Sequence, residues 1–338
     1  MKTAVLMSGG VDSSLAALLL QEQGHEIIGL TMINWHEEVA EKGREAAELL
    51  GIQHYVADLR VLFQQKVIDY FCKAYEKGDT PNPCVECNRH IKFGALLDAA
   101  LRIGCDKVAT GHYARVEYDD QRERYLLRKG LDVSKDQSYF LWALNQDQLS
   151  HIIFPLGEMR KEGVKRLARE KGLPAADSRE SQEICFIEND YRDFIRDRIY
   201  YQEGEIVDRR GQVLGRHQGL PFYTVGQRRG LGIAAGSPVY VCAMEYAQNR
   251  LILDQEETLY KSELISRHNN YVMFDELQAP MRVNAKIRYA ARAAEAVIYP
   301  LEDGNVRVEF TDPQRAITPG QSVVYYQGDY VVGGGIIV

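Results

Sequence analysis

The sequence predicts an α/β protein: an N-terminal parallel-sheet domain followed by two small all-β domains, the last a β-barrel. Three observations carry this. In the first half, short apolar runs alternate with helical segments, the pattern of βαβ units whose strands pair in parallel. From about Gly204 the texture changes to short β-branched and aromatic runs separated by turns such as EDGN and PGQ. A glycine-rich turn, SGGVDSS at residues 8–14, stands between the first strand and the first helix. Open parallel sheets bind ligands at that edge.

The elements follow in order. TAVLM is a buried strand, and the helix after SGGVDSS carries Leu15, Leu18 and Leu19 on one face. EIIGLTM is the second strand, a helix covers roughly residues 37–50, and HYVAD is the third strand. A helix near residues 61–76 and another through IKFGALLDAALRIG lead to the strand DKVAT. Beyond Gly204, the runs PVYVCAM, RLILD, RVNAKIRYAA, NVRVEF and SVVYY suggest two small barrels with a boundary near residues 259–266. The expected domains are residues 1–198, 199–262 and 263–338.

Composition sets the outer bounds. A chain of 338 residues accommodates two or three cores, and 45% hydrophobic with 26% charged residues is ordinary for a globular protein. No apolar run approaches the length of a membrane span, and the N-terminus lacks the pattern of a signal peptide. With six scattered cysteines, a disulfide framework is not expected, which points to a cytoplasmic protein with reduced thiols. The net charge of −7 argues against a surface that attracts nucleic acid everywhere, but leaves room for a local basic groove. Arg209, Arg210, Arg216, Arg228 and Arg229 form one basic cluster and Arg282, Lys286, Arg288 and Arg292 another, though for any one of them a solvated loop charge is the plainer reading.

SGGVDSS is a phosphate cradle. Its glycines let the backbone turn and present N–H groups, its serines add hydroxyls, and the helix start adds partial positive charge. Asp12 supplies a carboxylate suited to Mg²⁺. No Walker lysine motif occurs in the chain. The second motif is TPNPCVECNRHIKF, residues 80–93, with Cys84 and Cys87 three apart. It can serve as a metal corner, a redox pair or a sulfur-handling nucleophile.

SGGVDS resembles the signature of the PP-loop ATP pyrophosphatases, which cleave ATP between the α and β phosphates. The blocks TPNPCVECNRHIKF, ATGHYAR, GLDVSKDQSYFL, FPLGEMRKEGVKRLA, SQEICFI, HQGLPFYTVGQRRGLGI, AKIRYAA and PQRAITPGQSVVYYQGDYVVGGGII resemble the tRNA-specific 2-thiouridylases of the MnmA type. They run from the first strand almost to the last residue. The resemblance implies ATP-dependent 2-thiolation of the wobble uridine of tRNAs for lysine, glutamate and glutamine. Adenylation of the C2 oxygen would precede sulfur transfer and AMP release, with sulfur supplied by a cysteine desulfurase or relay protein.

The resemblance implies ATP and Mg²⁺ as cofactors, with ATP held by Leu6, Met7, Ser8, Gly9, Gly10, Val11, Asp12 and Ser13, by Met32 and by Gly111. It places Asn82, Pro83, Cys84 and His112 toward the target base. Lys135, Asp136, Gln137, Arg288, Tyr289 and Gln321 are placed toward tRNA. Cys87 matches the nucleophile and Cys185 the persulfide carrier, and a disulfide bond belongs to the same picture.

Position 84 departs from the family, whose better-known members carry aspartate there. Three arrangements stay open. Cys84, Cys87 and Cys185 could hold a [4Fe–4S] cluster with one iron free for sulfide. Alternatively, Cys185 carries persulfide, Cys87 attacks or resolves it, and Cys84 is an additional thiol. In the third, zinc is bound with His90 as a fourth ligand. Cys72, Cys105 and Cys242 read as packing residues. Rival functions are another PP-loop tRNA-modifying ligase and a non-catalytic tRNA-binding iron–sulfur protein.

Overall fold

The computed structural model describes residues 1–174, 184–187, 189–234 and 236–338. The first three blocks of chain form β1 (Lys2–Leu6), α1 (Val11–Glu22), β2 (Glu26–Ile33), α2 (Glu38–Leu49) and β3 (Gln53–Asp58). With β4 (Lys107–Ala109) and β7 (Ile152–Ile153) they make a parallel sheet in the order β3-β2-β1-β4-β7. Successive side chains on a strand point to opposite faces, and both faces are covered. Ala4, Ile28 and Leu30 pack on Leu96, Leu97 and Ala100 of the helix Leu96–Arg102. Val5 and Ile27, facing the other way, meet Ala17 and Leu20 of α1 and Ala47 of α2. The strand order reverses between β1 and β4, so the crevice beyond their carboxyl ends is the natural ligand position.

Two stretches expected as plain helix contain wide turns. Residues 60–77 run as α-helix, π-helix (Gln64–Ile68) and α-helix, and Cys87–Ala95 is π-helical before the helix Leu96–Arg102. Such turns recur at functional sites because they re-aim side chains on the helix.

Sequence reading missed the antiparallel hairpin β5 (Ala114–Asp119) and β6 (Arg124–Lys129). The central domain is a four-stranded sheet of β8 (Gly204–Asp208), β9 (Val213–His217), β10 (Tyr240–Glu245) and β11 (Arg250–Asp254), in the order β10-β11-β8-β9. No pairing among the described residues closes it, so the expected first barrel is an open sheet. The last domain comprises β12 (Tyr260–Tyr271), β13 (Met281–Lys286), β14 (Ala294–Pro300), β15 (Val306–Arg315), β16 (Ser322–Gln327) and β17 (Tyr330–Ile337). A β12–β17 pairing closes these six strands into a barrel.

The barrel is fastened to the first domain. On β16, Val323 and Tyr325 point into the barrel core, while Val324 and Tyr326 point out and pack with Tyr139, Trp142 and Leu127. Trp142 Nε1 donates to Ser322 Oγ at 3.1 Å and Tyr139 OH to the Ser322 carbonyl at 2.8 Å. Tyr330 pairs with Arg128, so the β5–β6 hairpin extends the barrel sheet. The central sheet packs differently: Ile206, Val241, Leu251 and Leu253 share a core with Phe63, Phe71, Cys87 and Phe186.

Candidate active site

The turn after β1 is built from its own hydrogen bonds. Gly9 sits at φ +73°, a conformation that favours glycine, and a Cβ there would lie 2.5 Å from Lys42 Cβ on α2. Gly10 caps α1 with extended backbone. Ser13 Oγ donates to the Gly10 carbonyl at 3.0 Å and accepts from Ser8 N at 3.2 Å, while Ser14 Oγ donates to the same carbonyl at 3.1 Å. The first N–H groups of the helix therefore open onto a polar cradle suited to phosphate.

Across the crevice, the chain leaving β4 closes the other wall. A Cβ on Gly111 would come within 2.7 Å of Asp12 Cβ and 3.0 Å of Ser13 N, so only glycine fits against the start of α1. A cavity of about 320 Å³ lies between these walls. The candidate ATP residues Leu6, Met7, Ser8, Asp12, Ser13, Met32 and Gly111 line it, joined by His112 and Gln137. Gly9 and Gly10 shape the loop behind it, and Val11 is buried beneath.

Sequence reasoning missed Lys161. From the start of the helix Lys161–Glu170, its buried ammonium reaches both Asp12 oxygens at 2.7 Å, and Tyr113 OH donates to Asp12 Oδ1 at 2.8 Å. A lysine thus stands at the phosphate turn after all, brought from 149 residues away. The motif FPLGEMRKEGVKRLA contained it, but nothing local in the sequence pairs it with Asp12.

The thiols form the second half of the site. Pro83 begins the short helix Pro83–Glu86, where its missing N–H costs nothing, and Cys84 and Cys87 follow. Cys87 is buried in the apolar core shared with the central sheet, next to Phe186 in the same cluster. Cys185 is an exposed residue whose sulfur accepts from Asn34 Nδ2 at 3.6 Å. Burial pushes the Cys84 thiol up to about 11 and that of Cys87 to about 12, and raises that of Cys185. Lys92 pulls all three the other way, and Cys84 and Cys87 each also feel Cys185. The thiols therefore share one neighbourhood with Lys92, which also lines the nucleotide cavity.

All six cysteines are free, so the expected disulfide is not formed. Among the described residues, no three His, Cys, Asp or Glu side chains converge closely enough to hold a metal ion. A [4Fe–4S] cluster takes each thiol on a different iron, so Cys84, Cys87 and Cys185 need not meet at one point to hold it. Zinc does not fit: His90 Nε2 turns to Glu86 Oε2 at 3.2 Å, one helical turn back. Mg²⁺ differs, because it needs only one or two carboxylates beside substrate phosphates. Asp12 fits that role once its pair with Lys161 opens.

The remaining candidates divide. Asn82 and Pro83 are buried, and the loop before them is held by the barrel. Thr80 N donates to the Pro319 carbonyl at 2.8 Å, and Gln321 Nε2 donates to the Thr80 and Pro81 carbonyls at 3.0 and 3.3 Å. His112 is buried against Phe93 and Phe154, its Nδ1 2.7 Å from Thr110 Oγ1; burial, then Lys92, holds it well below its ordinary pKa and neutral. Asp136 is buried and accepts from Gly130 N, Ser138 N and Ser138 Oγ, which makes it a brace of its own loop. Gln137 Oε1 accepts from Tyr113 N.

Tyr289 is 38% exposed and tilts against Phe140 at 4.6 Å, with Lys286 over its ring at 5.3 Å. Arg288 donates to the Ala316 carbonyl beside it, and Lys135 lies half-buried in the facing loop. Aromatic faces beside cations suit a nucleic-acid strand. Ser181, Gln182 and Glu183 of SQEICFI lie outside the described residues.

Comparison with known proteins covers the whole chain. Residues 1–189 match a tRNA methyl transferase HUP domain, residues 192–255 a tRNA methyl transferase PRC-barrel domain, and residues 261–337 an aminomethyltransferase β-barrel domain. The tRNA-specific 2-thiouridylase MnmA of Syntrophomonas wolfei subsp. wolfei is 55% identical over 337 residues, covering 100% of both chains. That of Moorella thermoacetica is 51% identical, covering 98% of each. That of Acetivibrio thermocellus is 49% identical, covering 99% of each.

Proposed function

The chain belongs to the tRNA-specific 2-thiouridylase family, and on that premise we propose that it converts the wobble uridine of tRNAs for lysine, glutamate and glutamine to 2-thiouridine, using ATP. The observation that carries this reading is a phosphate cradle opening into the 320 Å³ cavity whose wall includes Lys92, together with three thiols that feel the charge of that same lysine. A uridine C2 oxygen is a poor leaving group, so nucleotide chemistry must precede sulfur chemistry. Adjacent sites make that order possible.

In the first step, the C2 oxygen attacks the α-phosphorus of ATP. Pyrophosphate leaves with the bond's electron pair, and the N3 proton passes to solvent. The cradle at Ser8–Ser13 holds the phosphates, Gly111 leaves them room, and Met32 lies on the cavity wall where the adenine would sit. Mg²⁺, held through Asp12, would supply charge neutralisation at the phosphates. The target base must leave the anticodon stack to reach this wall.

Sulfur transfer is assigned to the persulfide route. The terminal sulfur of a Cys185 persulfide attacks C2, and the C2–O bond breaks with its electron pair leaving in AMP. Cys87, as thiolate, then attacks the inner sulfur; the S–S bond breaks, its pair stays on the sulfur bound to C2, and a Cys87–Cys185 disulfide remains. The Cys87 proton passes to solvent, a thiol reductant reopens the disulfide, and a sulfur-donor protein reloads Cys185. The exposed position of Cys185 suits loading by a partner, and the buried position of Cys87 suits resolution away from water. The alternative holds Cys84, Cys87 and Cys185 on three irons of a [4Fe–4S] cluster with sulfide on the fourth, and iron and sulfide analysis of protein purified without oxygen distinguishes the two.

The test incubates the protein with unmodified tRNA, ATP, Mg²⁺, cysteine and a cysteine desulfurase, then digests the tRNA to nucleosides for mass spectrometry. ATP-dependent 2-thiouridine at position 34 is the expected result. AMP without thiouridine, or sulfur at another base, would overturn the reading.

A further inference from the structure

Lys92 stands where the two halves of the site meet, and the mechanism above leaves it without a task. It lies in the wide-turn segment Cys87–Ala95, half-buried, and lines the nucleotide cavity beside Ser8, Asp12, Gly111 and His112. The one acid on that wall, Asp12, is already engaged on both oxygens by Lys161. Among the described residues Lys92 has no ion pair or hydrogen bond.

The groups that face it are informative. On its own segment and the helix before it stand Cys87 and Cys84; from the chain after β4 comes His112; from the facing loop comes Cys185. Each feels the Lys92 charge, and in each the charge opposes thiol protonation or disfavours imidazolium. Lys92 is thus a cation shared between a phosphate-sized space and three potential sulfur nucleophiles.

Resting on the function proposed above, we propose that Lys92 is a catalytic residue: its ammonium binds the α-phosphate of the adenylated uridine, carries the charge gained by AMP as the C2–O bond breaks, and favours the attacking sulfur as an anion. Bond changes are those already given. Lys92 takes no part in proton transfer, and its contribution is electrostatic. Placing one cation against both the leaving and the entering anion couples departure of AMP to arrival of sulfur.

Lys92→Met keeps the length of the side chain and removes its charge; Lys92→Arg keeps the charge. Thiouridine formation is followed with ATP varied, ATP binding by calorimetry, and reaction of each cysteine with iodoacetamide by mass spectrometry across pH. Lys92→Met is expected to lower kcat about 10²–10³-fold while ATP still binds, the mark of an interaction gained at the transition state. Iodoacetamide labelling of Cys84 and Cys87 at pH 9 should slow about three- to tenfold, because loss of the cation raises both thiols further. Lys92→Arg should restore the labelling rate and part of kcat.

Turnover of Lys92→Met within about threefold of the unaltered protein would overturn the proposal. So would equal loss of ATP binding in both variants, which would make Lys92 a structural residue. If the unaltered protein makes no thiouridine, the functional reading fails by itself. The labelling arm still decides in that case whether Lys92 governs the thiols, and unchanged labelling overturns the proposal.

Discussion

The phosphate turn and the thiol neighbourhood lie side by side but are made in opposite ways. Residues 8–14 are contiguous, polar and satisfied by one another: Ser8, Ser13 and Ser14 bond within the turn, and Asp12 is held by Lys161 and Tyr113. The thiols come from two distant segments: Cys87 sits in an apolar core, Cys84 is half-buried one helical turn before it, and Cys185 is an exposed residue, while burial raises the Cys84 and Cys87 thiols. The nucleotide turn is held by its own hydrogen bonds, whereas Cys84 and Cys87 are thiols that burial keeps from ionising near neutral pH.

Substitutions can break either half separately. The largest effect is expected at the sulfur end: Cys185→Ser should abolish thiouridine while leaving ATP affinity within about twofold, measured by nucleoside mass spectrometry and calorimetry. Next comes the nucleotide end. Lys161→Met leaves Asp12 without its ammonium, and thiolation kcat/KM should fall about 10²-fold, with a stability loss toward the lower end of ~3–5 kcal/mol because Asp12 is partly exposed. Steady-state kinetics and chemical denaturation check the two parts.

A smaller effect is expected from Gly111→Ala. Its Cβ would force apart β4's exit and the start of α1, lowering ATP affinity about tenfold. Gln321→Ala removes two hydrogen bonds through which the barrel holds the Thr80–Pro81 carbonyls, and should raise KM for tRNA a few-fold, on the order of 1 kcal/mol, with ATP affinity unchanged.

The resting state of the thiols has its own signature. In protein without tRNA, iodoacetamide labelling of Cys84 and Cys87 should be slow at neutral pH and climb only toward pH 11–12. The folded chain holds those protons more tightly than the unfolded one, so their contribution to stability falls as pH rises from about 9 toward 12. A denaturation series over that range checks the sign.

What the sequence made legible follows the same divide. SGGVDSS could be read because its partners are its own neighbours, and the parallel sheet because buried strands and helices alternate in sequence order. Lys161 could not, since its partner lies 149 residues away and only the folded chain joins them. The β5–β6 hairpin had a signal: ARVEYD and RYLLRK flank a polar turn in which Glu123 takes φ +50°. That signal is short beside the longer helical and parallel pattern on either side of it. Asp136 and Asn82, which the resemblance places toward tRNA, are both buried, and nothing in the local sequence signals that burial.

The most direct measurement uses iron-free protein carrying a persulfide on Cys185, mixed once with unmodified tRNA, ATP and Mg²⁺. One 2-thiouridine formed per AMP released, with a Cys87–Cys185 disulfide left behind, is the predicted result. No product until iron and sulfide are restored, with activity then lost on Cys84→Ala, would contradict it and place sulfur on a cluster.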